Sequence, residues 1–115
     1  MTMDKKLRLQ VLDRDKWCWV CGLPNPDTAA VHHRKLRSQG GEDSLTNLIA
    51  LCHACHNLAT NSVHLNPGKS YDKGLLVHSW DDPADVPITQ PDGATVYLLT
   101  DGGYEIHTQR RPSWA

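Results

Sequence analysis

The chain has no phenylalanine, and its 115 residues are only 39% hydrophobic. A core built from such material is thin, so a bound metal becomes an expected source of stability. No apolar run approaches the roughly 20 residues needed to cross a bilayer, which argues against a membrane protein. Residues 1–11 are too charged for a signal peptide. The expected compartment is therefore the cytoplasm, where thiols stay reduced. Net charge is nearly absent as well: 12 Lys/Arg against 13 Asp/Glu leave −1, too little to gather nucleic acid from a distance. Internal repeats and low-complexity segments are also missing, and the length suits one domain.

What is present is unevenly placed. Residues 1–60 hold eight Lys/Arg and six Asp/Glu (8 − 6 = +2), and residues 61–115 hold four and seven (4 − 7 = −3). Arg34, Lys35 and Arg37 form a local basic patch that can hold a phosphate backbone despite the neutral total. A solvated basic face is the plainer account of the same residues.

The four cysteines fall as two Cys-x-x-Cys pairs, Cys18/Cys21 and Cys52/Cys55. Two disulfides or four small buried apolar groups would account for them. Doubled knuckle spacing in a reducing compartment instead favours one tetrahedral zinc on four thiolates. Such an ion is structural, because no coordination position stays open for a substrate. The insertion between the knuckles, residues 22–51, carries His32, His33 and Asn47.

Helix formers without Gly or Pro predict a helix over 4–15, with Leu7, Leu9, Val11 and Leu12 supplying apolar positions. Strands are expected at 28–33 and 47–51, and a helix at 53–62 that Asn66-Pro67-Gly68 closes. In the tail, 74–80, 94–100 and 103–107 read as strands, the last two as a hairpin. Strand alternation sends His32 and His33 to opposite sides, so one can bind an ion while the other faces water or phosphate. His56, locked beside the knuckle, can complete a metal site with His32. His53 competes for that role, whereas His64, His78 and His107 read as surface or capping residues.

The order His32-His33, Asn47, Cys52-x-x-Cys55-His56 resembles the HNH endonuclease family in its zinc-knuckle form, over about residues 14–60. The tail, around 80–87 and 99–103, is similar to small HNH proteins of actinobacterial phages. The resemblance implies an α+β fold. A ββα-metal core over 1–66 would be braced by the four-cysteine zinc, and 67–115 would form a β-rich extension of the same domain. It implies metal-dependent hydrolysis of DNA phosphodiester bonds, as nicking by a monomer or as double-strand cutting, which needs a homodimer or two successive nicks.

His33 would be the general base, His32 and His56 would hold a catalytic divalent cation, and Asn47 would brace the loop beside His33. Many family members carry an acid at the position of His32. Imidazole there suits Zn2+, Ni2+, Co2+ or Mn2+ better than Mg2+. Some members bring a further ligand one turn beyond His56, where this chain has Thr60. Phage origin, host cytoplasm and a terminase partner in DNA packaging are further implications. From another class, a non-catalytic zinc-dependent DNA- or terminase-binding module would share the cysteines and the basic patch.

Overall fold

A computed structural model describes residues 3–58 and 62–107, with only the backbone at Leu58. Helix α1 spans Lys5–Arg14 and is capped by Asp4, whose side chain accepts from the Lys6 N–H at 3.4 Å. Val11 on its inner face packs with Leu48 and Ala50, flanked by Leu7, Leu12, Val31 and Leu45. Leu9 points outward. At the helix end Asp15 pairs with Arg14 at 2.7 Å and accepts the Ala50 N–H at 3.0 Å, fastening α1 to the sheet.

Strands β1 (Ala30–His33) and β2 (Leu48–Leu51) pair antiparallel, with His32 opposite Ile49 and His33 opposite Leu48. All four β2 residues are buried, because α1 covers one face of the strand and the main core the other. The expected helix over 53–62 is instead a π-helical stretch, Ala54–Leu58, and residues 59–61 lie outside the described ones. Asn66-Pro67-Gly68 does not close a helix but opens one. Pro67 takes the first position of α2 (Pro67–Asp72), where its missing N–H costs nothing.

Strands β3 (Ile88–Thr89), β4 (Thr95–Leu98) and β5 (Tyr104–Ile106) form a second antiparallel sheet, whose β4–β5 hairpin is the one expected. Ile88, Val96 and Leu98 join Ile49, Leu51, Leu75 and Leu76 in one core with Cys18 and Cys55. The architecture is α+β, as the sequence implied. Residues 74–80 are not a strand. Gly74 turns with φ +72°, and any Cβ there would meet the Pro87 carbonyl oxygen at 2.0 Å. The Leu75 and Leu76 N–H groups both donate to the Ser70 carbonyl, at 2.9 and 3.2 Å, so the backbone is spent on a turn.

Arg34 explains how this irregular segment stays on the sheet. Its guanidinium is fully buried and donates to the carbonyls of Gly74, Thr46, Pro83 and Val86 at 2.6–3.0 Å. Burial first, and then the charge of Arg14, lower its pKa to about 9. The expected DNA contact by Arg34 is therefore corrected: the side chain faces inward because four otherwise orphaned carbonyls need its planar fork. We expect Arg34→Leu to destabilise the protein by about 3–5 kcal/mol, the cost of breaking such a buried polar cluster. Arg34→Lys, whose compact ammonium cannot span the four carbonyls, should recover little. Urea denaturation midpoints measure both, and a loss under about 1 kcal/mol for Arg34→Leu would contradict this role.

Candidate metal centre and active site

The first knuckle is a tight turn in which the Gly22 N–H donates to the Cys18 carbonyl at 2.9 Å. The second leads from β2 into the π-helical stretch, where the His56 N–H donates to the Cys52 carbonyl at 3.0 Å. Together they bring the sulfurs of Cys18, Cys21, Cys52 and Cys55 within 4.8 Å of one another. Cys21 Sγ and Cys52 Sγ are 3.9 Å apart. Tetrahedral zinc with bonds near 2.3 Å requires sulfurs about 3.8 Å apart, so the donor set fits.

Electrostatics agree with a cation. Burial pushes the Cys55 thiol up, reinforced by the crowded sulfurs of Cys52, Cys18 and Cys21. Burial also raises Cys21. Burial opposes ionisation of Cys18 too, but N–H groups of Cys21, Cys52 and Val20 more than offset it and leave that thiol lowered. Crowded thiols compete for the anionic form, and a bound cation removes the competition.

A second cluster consists of imidazoles. His32, His56 and His64 present ligand nitrogens within 4.8 Å of one another. Their ring centroids lie 4.6–5.2 Å apart. His32 hangs from the buried face of β1, and its Nε2 donates to the Leu75 carbonyl at 2.8 Å. That bond leaves Nδ1 with its lone pair free for an ion. Burial, opposed in part by the bond to the Leu75 carbonyl and reinforced by the charges of His56, His64 and His33, lowers the pKa of His32 to about 3. Burial likewise lowers His56, with His64 and His53 adding to the effect. Neutral imidazole is the form that binds metal.

His64 is the residue that sequence reasoning passed over. It is exposed, as expected, yet it joins the cluster because the Val63 and His64 N–H groups donate to the Cys55 and His56 carbonyls, at 2.8 and 3.3 Å. Its Nε2 lies 3.0 Å from that of His56. Zinc with nitrogen ligands near 2.05 Å would separate them by about 3.4 Å, a small adjustment. An eight-residue spacing between the two histidines gave no helical signal, so local pattern could not pair them. His53 is elsewhere, with Nε2 2.6 Å from the Thr28 carbonyl oxygen. Thr60 lies outside the described residues.

On the other side of β1, His33 Nε2 meets Asp43 Oδ1 at 2.6 Å. Arg37 reaches both Asp43 oxygens at 3.2 Å. The bond from His33 first, with those from Arg37, outweighs slight burial and holds the Asp43 carboxyl below its ordinary range. Asn47 is buried beneath this loop. Its side chain accepts the Lys35 N–H at 2.7 Å and donates to the carbonyls of Lys35 and Glu42, each at 3.0 Å. Gly41 permits the closure, since a Cβ there would lie 1.7 Å from the Lys35 carbonyl oxygen. Lys35 Nζ donates to the Asp81 carbonyl at 3.2 Å.

Two metal-sized donor clusters are joined by the Cys55-His56 step, with a histidine–carboxylate pair behind the strand. Residues 18–62 match the family model described as HNH endonuclease. No curated protein and no solved structure matches the chain. The family match supports nuclease-type activity with DNA as substrate and a metal site. Among the described residues, no helix is long and apolar enough to cross a membrane.

Proposed function

We propose that the protein is a metal-dependent DNA endonuclease, with zinc on the four cysteines and a catalytic divalent cation on His32, His56 and His64. The observation that carries this reading is the convergence of those three imidazoles within 4.8 Å at the β1 end. A cation bound there supplies positive charge to the scissile phosphate, offsetting the phosphorane-like transition state and stabilising the leaving 3′ oxygen. Around it the chain's own groups divide the work. His33 takes a proton from the attacking water. Asn47 holds the loop that follows β1 in place, and Lys35 and Arg37 contact backbone phosphates. Residues 1–66 form the nuclease core and 67–115 its extension. The reaction takes place in the cytoplasm, where one chain nicks and a homodimer cuts both strands. The comparisons support neither phage origin nor a terminase partner, and the proposal is confined to DNA hydrolysis.

Zinc-loaded protein incubated with supercoiled plasmid and added Mg2+, Mn2+, Co2+, Ni2+ or Zn2+ tests the reading. Metal-dependent conversion to open circles is expected, and imidazole ligands favour the later ions over Mg2+. Binding without conversion in any metal would point to a zinc-dependent DNA-binding module instead.

The ligand assignment has its own expected result. His32→Ala, His56→Ala and His64→Ala should each weaken apparent metal affinity by at least about tenfold. The His56→Ala/His64→Ala double variant should be little worse than either single one, because residues that act as a unit are not additive. His53→Ala should leave affinity unchanged, and loss confined to that variant would refute the assignment.

A further inference from the structure

The His33–Asp43 pair permits a statement about which nitrogen does the chemistry. Both Asp43 and Arg37 approach the same ring atom: Asp43 Oδ1 lies 2.6 Å from His33 Nε2, and Arg37 Nε lies 3.2 Å from it. One nitrogen cannot donate to a carboxylate and accept from a guanidinium at once. The shorter contact to an anion is much the stronger hydrogen bond, so Nε2 carries the proton and Asp43 accepts it. Arg37 then serves the carboxylate, whose two oxygens it reaches at 3.2 Å.

We propose that Asp43 is a positioning residue for the reaction, fixing His33 as the Nε2–H tautomer so that Nδ1 presents the basic lone pair to the attacking water. This rests on the nuclease reading above for its catalytic meaning, though the tautomer itself does not. The placement is specified by the loop. Asn47 ties Lys35 and Glu42 together from beneath, the Gly41 N–H donates to the Leu36 carbonyl at 2.9 Å, and Asp43 emerges opposite His33. The pair is accessible enough to work on substrate, with side-chain exposure of 14% for His33 and 37% for Asp43.

In the reaction, one proton of the attacking water moves to His33 Nδ1 while the remaining hydroxide oxygen bonds to phosphorus. The P–O3′ bond breaks with its electron pair going to O3′, which is protonated by solvent. The Nε2 proton stays in its bond to Asp43, whose charge now faces an imidazolium. The carboxylate thus holds the ring in the orientation that turns Nδ1 toward the water.

Asp43→Asn tests this, because the amide is isosteric and can donate to Nε2, favouring the opposite tautomer. In plasmid nicking, kcat should fall about 10²–10⁴-fold, the range for a misdirected general base, while KM, thermal midpoint and zinc content hold. Asp43→Glu, retaining an acceptor, should recover at least tenfold of the loss. A rise in KM with unchanged kcat would make Asp43 a substrate contact, and a lowered thermal midpoint that accounts for the lost activity would make it only structural. Either result overturns the proposal.

A second measurement does not depend on activity. Imidazole nitrogen NMR of the zinc-loaded protein should show His33 as the Nε2–H tautomer, lost in Asp43→Asn. The Nδ1–H tautomer in the wild type overturns the proposal even if plasmid is cut. The expected tautomer in a protein that cuts nothing leaves the Asp43 bond standing and sinks the nuclease reading alone.

Discussion

Zinc removal by a strong chelator, or Cys52→Ala, should unfold most of the protein rather than merely inactivate it. Cys18 and Cys55 are part of the main core, in one cluster with Trp19, Ile49, Leu51 and the tail residues Leu75, Ile88 and Leu98. That cluster holds no phenylalanine, and the two sheets have two and three strands of at most four residues. A core this small leaves a narrow stability margin. Structural zinc sites supply on the order of 10 kcal/mol, more than such a domain has to spare. Metal analysis should find about one tightly held zinc per chain, and thermal unfolding should lose its cooperative transition in Cys52→Ala. A variant with the native midpoint and native zinc content would remove the four-thiolate site.

The largest expected effect on activity is that of His33→Ala, a fall of roughly 10²–10⁴ in cleavage rate with DNA affinity and zinc content retained. Retention follows from geometry. His33 leaves the partly exposed side of β1, whereas the four sulfurs and the imidazoles of His32, His56 and His64 form separate clusters. Its side chain is bonded to Asp43 and lies beside Arg37, neither of which belongs to either cluster. Cleavage undiminished in this variant, with contaminating nuclease ruled out by a His32→Ala control prepared identically, would exclude His33 as the base.

Both results concern residues whose local pattern was legible. The two Cys-x-x-Cys pairs declare a four-thiolate set because each knuckle delivers two sulfurs through a short turn that needs little outside help. His32 and His33 were separable for an equally local reason, since alternate residues of a strand face opposite sides. The β4–β5 hairpin was readable from its alternation and its Asp-Gly-Gly turn. Helix α1 was readable from continuous helix formers without Gly or Pro.

Other features were misread because they depend on partners far along the chain. Asn66-Pro67-Gly68 looks like a terminator, but proline ends one helix and begins another with equal ease, and only the following turns decide. The apolar run at 74–80 reads as a strand, yet its carbonyls are claimed by side chains: Gly74 by Arg34, and Leu75 by His32. Arg34 itself sits between His33 and Lys35, where it looks like one member of a basic patch. Four carbonyls spread from Thr46 to Val86 turn it inward.

The sequence alone therefore determined the donor inventory, the thiolate site and the opposed pair of histidines, because turns and strand alternation act over a few residues. Tertiary structure alone decided that His64 joins His32 and His56, that Asp43 meets His33, and that Arg34 is a buried clamp. Each of those contacts is closed by hydrogen bonds between residues eight or more apart, whose geometry depends on the packed whole and has no periodic trace in the chain.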